Sequence, residues 1–431
     1  MEGSIWRSTV KKPEFDALEG DIKTDVLIIG GGIAGILCAD TLKRAGVDYI
    51  LAEAEGICGG VSENTTAKIT LQHGLIYGEL IRKFGLERAR LYLEAQLCAL
   101  RRYRELCADI ECDFEDKPSY VYSTDDRNKL EREASALDKL GFSASFTDNI
   151  PLPIRTVGGV KTDGQAQFNP LKFAYSLAKD LKIFENTRIL RLEPNGAVSD
   201  RGRITAKKII VATHFPFINK HGFYFLKLYQ HRSYVIALKN AEDVGGMYVD
   251  EKDTGMSFRN YKDMLLLGGG GHRTGKKGGG WQELSRFASD AYPDSKEVRR
   301  WATQDCMSLD GAAYIGQYSK GTTGVYTASG FNKWGMTSAM VSASVLCDLV
   351  LERKNPYVSL FSPSRSMLRK QLFINTGEAL LGLITPMTPR CTHMGCVLKY
   401  NKYEHSWDCA CHGSRFSKDG RVLNNPAKRN K

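Results

Sequence analysis

What this chain of 431 residues lacks narrows it first. It has no apolar run long enough to cross a bilayer; the best candidate, Ala379–Ile384, falls far short of the roughly 20 residues a membrane helix needs. No membrane span is expected. The first residues, Met1-Glu2-Gly3-Ser4-Ile5-Trp6-Arg7, have no apolar stretch of the kind that directs export, so a cytoplasmic protein is expected. Acidic residues are scarce at one end. From Arg353 to Lys431 there are fourteen Lys and Arg against four Asp and Glu, nearly the whole of the net charge of +11. Such a stretch suits nucleic acid or an acidic partner, and no nucleic-acid motif accompanies it, so no nucleic-acid binding is expected. What is present is hydrophobic content of 42% in a chain long enough to bury two or three cores. Eleven cysteines in an unexported chain argue for free thiols and metal ligands, not a disulfide framework.

Two loops near the end interleave cysteine with histidine: Cys391-Thr392-His393-Met394-Gly395-Cys396 and Cys409-Ala410-Cys411-His412-Gly413-Ser414. Zinc also accepts two Cys and two His, but zinc fingers keep the Cys pair and the His pair apart, and the extra cysteines would have no purpose. The pairs Cys-x-His and Cys-x-x-His resemble the boxes of Rieske [2Fe–2S] proteins at every ligand position. The resemblance implies that Cys391 and Cys409 hold the inner iron, and His393 and His412 the outer one. It implies a disulfide between Cys396 and Cys411, and a hydrogen bond from Ser414 to a cluster sulfide. Two neutral imidazoles in place of thiolates remove two negative charges and raise the reduction potential. Phe416 stands where high-potential respiratory relatives carry Tyr, so one hydrogen bond is expected to be missing and the potential to lie below theirs. Only about 364–390 precedes the first box, part of it (Met367–Leu383) readable as helix, and seventeen residues follow Ser414. A small all-β module over 389–431, cut short on both sides, is expected; its cluster would then depend on packing against the rest of the chain.

At the other end, Thr24–Ile29 is a continuous apolar run that reads as a buried parallel strand. Gly30-Gly31-Gly32-Ile33-Ala34-Gly35 opens a helix over Ala34–Ala45, and a second strand, Asp48–Ala52, ends at Glu53. This is a complete βαβ dinucleotide fingerprint: the glycines admit a pyrophosphate to the helix N-terminus and Glu53 accepts from ribose hydroxyls. Three further stretches, Gly59-Gly60-Val61-Ser62-Glu63-Asn64-Thr65-Thr66, Lys208-Ile209-Ile210-Val211-Ala212-Thr213-His214 and Gly324–Thr337, resemble the D-amino-acid oxidase (DAO) family of flavoproteins. The resemblance implies FAD, held by Gly30, Gly32, Ile33, Ala34, Gly35, Glu53, Ser62, Thr66, Ala212, Thr213, Gly330, Asn332, Lys333, Trp334, Gly335, Met336 and Thr337. A generic NAD-binding domain is the alternative, but it does not explain the strand, glycine turn and helix that run from Gly324 to Leu351.

The expected class is α/β, α+β overall: a Rossmann-like FAD domain, an antiparallel-sheet substrate subdomain and the Rieske module. Residues 1–23 read as an arm. The FAD part is expected over 24–75, 155–222 and 300–353, the substrate part over 76–154 and 223–299, and a linker over 354–388. Apolar steps of three and four predict a long helix over Leu86–Ile110, and Asn169-Pro170 caps another. Antiparallel strands are expected over Arg232–Leu238, Gly246–Val249 and Met256–Tyr261. Met264–Leu267 runs into Gly268-Gly269-Gly270-Gly271, expected to pack tightly beside the flavin.

Amino-acid oxidases of this family carry an Arg-Pro clamp before a Thr/Ser-x-Asp-Gly turn. Here Asp305-Cys306-Met307 precede Ser308-Leu309-Asp310-Gly311, so the clamp is absent at that place. His73, Tyr248, His272, Arg273 and Lys333 are the polar candidates for the substrate side, and Cys306 is a candidate for covalent flavin attachment. FAD accepts a hydride, whereas a Rieske centre carries single electrons. The combination implies a dehydrogenase acting on a small amine or hydroxy compound. It would pass electrons within the chain to the cluster, then to an external carrier, an acidic one suiting the basic C-terminal region. A reductase running the other way, or a redox sensor, is the alternative.

Overall fold

The computed structural model describes residues 2–218 and 221–431. Strand β1 (Ile22–Ile29), helix α1 (Ile33–Arg44) and strand β2 (Tyr49–Ala52) form the expected βαβ unit. Further on come β3 (Arg203–Val211), β4 (Tyr229–Lys239), β5 (Met264–Arg273), β6 (Lys296–Met307) and β7 (Val325–Ser329). Helices α2 (Gly335–Val350) and α3 (Lys370–Ile384) lead to four short strands: β8 (Leu398–Asn401), β9 (Ser406–Cys409), β10 (Arg415–Ser417) and β11 (Val422–Asn424).

Strands β2, β1, β3 and β7 lie parallel in the first sheet, with Val26, Ile28 and Leu51 on the side covered by α1 and α2. Burial on both faces is why these strands read as unbroken apolar runs. The second sheet has eight strands, in which β6, β4 and β5 are antiparallel neighbours followed by Ser257–Tyr261, Met247–Asp250, Ser119–Ser123, Gly158–Thr162 and Ser145–Thr147. Strands β8 to β11 form a separate antiparallel meander around a small core of Cys391, Cys396, Leu398, Cys409, Cys411, Phe416 and Ala427.

The long helix spans Leu86–Ala108, and the Asn169 side chain caps Pro170–Ala178 by accepting from Leu171 and Lys172. The glycine run Gly268–Gly271 lies within β5, where Gly268 and Gly269 pair with Val235 and Tyr234 of β4 and the register shifts before His272. Two divisions differ from those read along the chain. Gly158–Thr162 and residues 300–307 of β6, expected with the FAD part, are strands of the antiparallel sheet, because their ladder partners lie in Ser119–Ser123 and β4. The stretch 354–388, expected as a linker, contains α3, whose Gly382 lies against the cysteine loops. A Cβ on Gly382 would meet Cys411 Sγ at 2.6 Å, and its carbonyl accepts from Val397.

Candidate functional site

A cavity of about 1120 Å³ runs between the parallel sheet, the antiparallel sheet and the C-terminal segment Leu423–Arg429. At its floor the chain approaches itself closely. A Cβ on Gly35 would meet Gly30 O at 1.9 Å, and one on Gly30 would meet Ala212 O at 2.6 Å. Helix α1 starts at Gly32 with no side-chain cap, and Ser62 Oγ accepts from Ile33 N–H at 2.9 Å. Glu53 accepts from Gly31 N–H at 2.6 Å, and burial raises its carboxyl above the usual range. On the far side, Asn332 and Lys333 both take left-handed backbone (φ 52° and 73°) to deliver the chain into α2. Asn332 is held by Ser308, Gly311 and Gly330.

The cofactor-binding positions read from the sequence line this cavity, except Gly35, Asn332 and Thr337. Gly35 lies under the Gly30 carbonyl, Asn332 shapes the turn, and Thr337 faces His73. The substrate-side candidates scatter. Lys333 lines the cavity and donates to Asp253 O at 2.9 Å. His73 is a layer behind: its ring stacks on Trp334 at 5.0 Å and bonds Tyr92 and Thr337, and burial lowers its pKa to about 3. Tyr248 is stacked on Tyr120 in the core, with its hydroxyl donating to Val244 O, and takes no part in the cavity wall. His272 stacks on Tyr234 beside the wall, while Arg273 reaches away to donate to Ala410 O and Cys411 O. Cys306 points into the core under β3, its thiol pushed up to about 12 by burial. Asp305 lines the cavity and Cys306 does not, so a flavin bond at Cys306 has no geometry to support it. Burial raises the Asp305 carboxyl to about 6.

The cysteine–histidine loops close on one another at the edge of the same cavity wall. The rings of His393 and His412 lie 5.0 Å apart and perpendicular. Burial lowers their pKa values to about 3 and about 4, which keeps both imidazoles neutral, as metal ligation requires. Among the described residues, neither ring nitrogen of buried His412 has a hydrogen-bond partner. The thiols of Cys396, Cys409 and Cys411 lie within 4.8 Å of one another, and Cys391 hydrogen-bonds with Cys409. Thiol–thiol hydrogen bonds push Cys396 and Cys409 down and Cys391 and Cys411 up. All eleven cysteines are unbridged here, the Cys396–Cys411 pair included. Ser414 Oγ accepts from Ala427 N–H at 3.0 Å, and Phe416 is fully buried. A set of neutral imidazoles and convergent thiols suits an iron–sulfur centre.

The second loop is bonded to the cavity wall by residues the motifs do not contain. Gln230 donates to His412 O (3.3 Å) and Asn425 O (3.0 Å), and its amide oxygen accepts from Gln304 (2.8 Å). Gln304 also donates to Gly413 O at 2.9 Å, and His214 bonds Gln230 Oε1 at 3.1 Å. Gln304 and His214 line the cavity. Beside them in the wall, Arg232 and Arg415 both bind Glu404, and Arg415 also binds Asp408; Arg232, Arg415 and Asp408 are buried, and the Glu404 side chain is 9% exposed. Glutamines in strands carry no sequence signal for this; only pairing β4 with β6 brings Gln230 and Gln304 together.

The FAD dependent oxidoreductase (DAO) family pattern matches residues 25–349, and the Rieske [2Fe-2S] domain pattern matches 364–430. The chain belongs to the DAO family of FAD dependent oxidoreductases. It carries a Rieske domain in addition, and its cofactors are FAD and a [2Fe–2S] cluster. YhfW of Bacillus subtilis (strain 168), described as a Rieske 2Fe-2S iron-sulfur protein, is 33% identical over 98% of this chain and 96% of its own. Among solved structures, glycine oxidase from Geobacillus kaustophilus superimposes with a TM-score of 0.66 over 80% of this chain and 99% of its own, at 17% identity. L-proline dehydrogenase from P. horikoshii gives 0.66 over 81% and 98%, at 16% identity. These two share the DAO fold. The Rieske addition makes this DAO member an oxidoreductase equipped for electron transfer. Among the described residues no helix is long and apolar enough to cross a membrane.

Proposed function

We propose that this DAO-family protein is a dehydrogenase that oxidises a small amine or hydroxy compound and passes the electrons singly, within the chain, to an external acceptor. When bound, FAD takes a hydride from a substrate carbon and the cluster carries one electron at a time. The observation that carries the reading is the glutamine bridge: Gln304 lies in the cavity wall and donates to Gly413 O, next to His412. Cys391, His393, Cys409 and His412 are the proposed ligands, with Cys396 and Cys411 bridged beside them and the Ser414 hydroxyl directed at a sulfide. The glycine-rich start of α1 would receive the pyrophosphate, Glu53 the ribose, and the start of α2 would stabilise negative charge on the flavin ring.

The chain's own residues hold the arrangement. Arg273 fixes the second loop through two backbone carbonyls, and Asn425 donates to Thr213 O at 2.7 Å, tying the C-terminal segment to the FAD strand. Asp305 presents a carboxylate to the cavity at the place of the family's missing arginine, which favours an amine or hydroxy substrate over one gripped by its carboxylate. The external acceptor proposed is an electron carrier with an acidic surface, matching the basic C-terminal region. Anaerobic mixing of the holoprotein with a panel of amines and hydroxy acids tests the reading. The expected result is bleaching of flavin absorbance with appearance of the reduced-cluster EPR signal. Stoichiometric peroxide in air with the cluster left oxidised would defeat it.

A further inference from the structure

Helix α3 is packed inside out. Its positions 371, 375, 378 and 382 share one face, and that face is the one held by the protein. Asn375 donates to Leu226 O at 3.1 Å and accepts from Arg273 at 3.0 Å. Gln371 bonds Asn375, Glu378 pairs with Lys276 at 2.7 Å, and Gly382 lies against Cys411. The opposite face carries Phe373, Leu380 and Ile384, flanked by Ile374 and Leu381, and all five are exposed, Ile384 by 72%. Leu368 and Met387 extend the same patch past both ends, and Met394 of the first cluster loop is exposed as well. A patch of this kind on a soluble protein marks a contact surface.

Polar contacts fix the helix in this orientation, so the apolar stripe cannot turn inward to hide. Basic residues frame it: Arg369 and exposed Lys370 at its start, and Arg390, which donates to Leu383 O and Thr385 O, at its end. Glu378 is the helix's one acid and is already paired with Lys276. A second copy docking here would bring two basic frames together, whereas anionic headgroups would complement them. The helix, with fifteen residues, is too short to span a bilayer but suits lying in its interface.

We propose that α3 docks this protein onto an anionic lipid surface, with Phe373, Leu380 and Ile384 in the headgroup–acyl boundary and the Rieske loops directly above it. Purified holoprotein, followed by flavin absorbance, is floated with phosphatidylglycerol–phosphatidylcholine vesicles and with phosphatidylcholine alone. Flotation is expected with the anionic vesicles, weakened by about 0.5 M salt. It should fall by at least about tenfold in Phe373→Ser/Leu380→Ser/Ile384→Ser, with flavin and cluster spectra unchanged. In Leu381→Trp, a blue shift of the added indole's emission on vesicle addition is expected, independent of the triple variant's folding. Failure of the wild-type protein to float with any vesicle overturns the proposal. Equal flotation by the triple variant, an unshifted indole, or a wild-type dimer that the triple variant dissociates without any vesicle binding would do the same.

Discussion

Removing the carboxylate of Glu404 tests whether the Rieske module is held to the antiparallel sheet by charge. Glu404 lies between two buried guanidiniums, accepting from Arg232 Nε at 3.0 Å and Arg415 Nη2 at 2.8 Å, and Tyr234 adds a hydroxyl at 3.1 Å. Asp408 stays with Arg415 at 3.0 Å, so Arg232 is the group stranded in Glu404→Ala. Breaking a buried pair from one side costs about 3–5 kcal/mol, because a charge is left desolvated without its partner. The cost falls on docking of the module, so the assay is local: cluster absorbance and flavin fluorescence are followed separately against denaturant. In Glu404→Ala the cluster signal is expected to vanish well before the flavin is released. In Arg232→Met/Glu404→Leu the stranded charge is gone, and the double variant should recover at least about 2 kcal/mol relative to the sum of the singles. An unaltered cluster midpoint in Glu404→Ala would refute the reasoning. The pH dependence has a fixed sign. Burial alone would raise the Glu404 carboxyl, but Arg232 and Arg415 outweigh it and hold the pKa low. Its contribution is therefore complete above the ordinary carboxylate value of about 4.3 and is lost as pH falls below that, through the depressed value.

Cys391→Ser is expected to purify with flavin absorbance intact and without the EPR signal of a His-ligated cluster. Gly35→Ala places a methyl against Gly30 O, so flavin content should drop to near zero even if the chain folds. Asp305→Asn should remove an ionisation near pH 6 from the kcat/KM profile, since the raised Asp305 carboxyl gains its charge as pH rises through about 6. Phe416→Tyr should give a potential above that of the wild-type protein by redox titration, if its new hydroxyl reaches the cluster sulfur ligands.

Much of this protein was determined by short, contiguous pieces of sequence. The βαβ unit from Ile22 to Ala52 follows from glycine spacing and apolar runs, because a strand, a tight turn and a helix make their contacts within thirty or so residues. The cluster loops are legible for the same reason: a ligand set with one or two residues between Cys and His leaves little conformational choice. Tertiary structure alone decided which side of a strand faces the cavity. Asp305 lies in the wall and its neighbour Cys306 in the core, and neither placement is set until β6 pairs with β4. It also decided where the Rieske module sits. Gln230, Gln304 and Glu404 meet partners more than a hundred residues away, and polar side chains of such types are equally at home on any solvated surface. Helix α3 shows the same limit. Its apolar residues, counted along the chain, belong to a core, and only the docking of its polar face left them pointing outward.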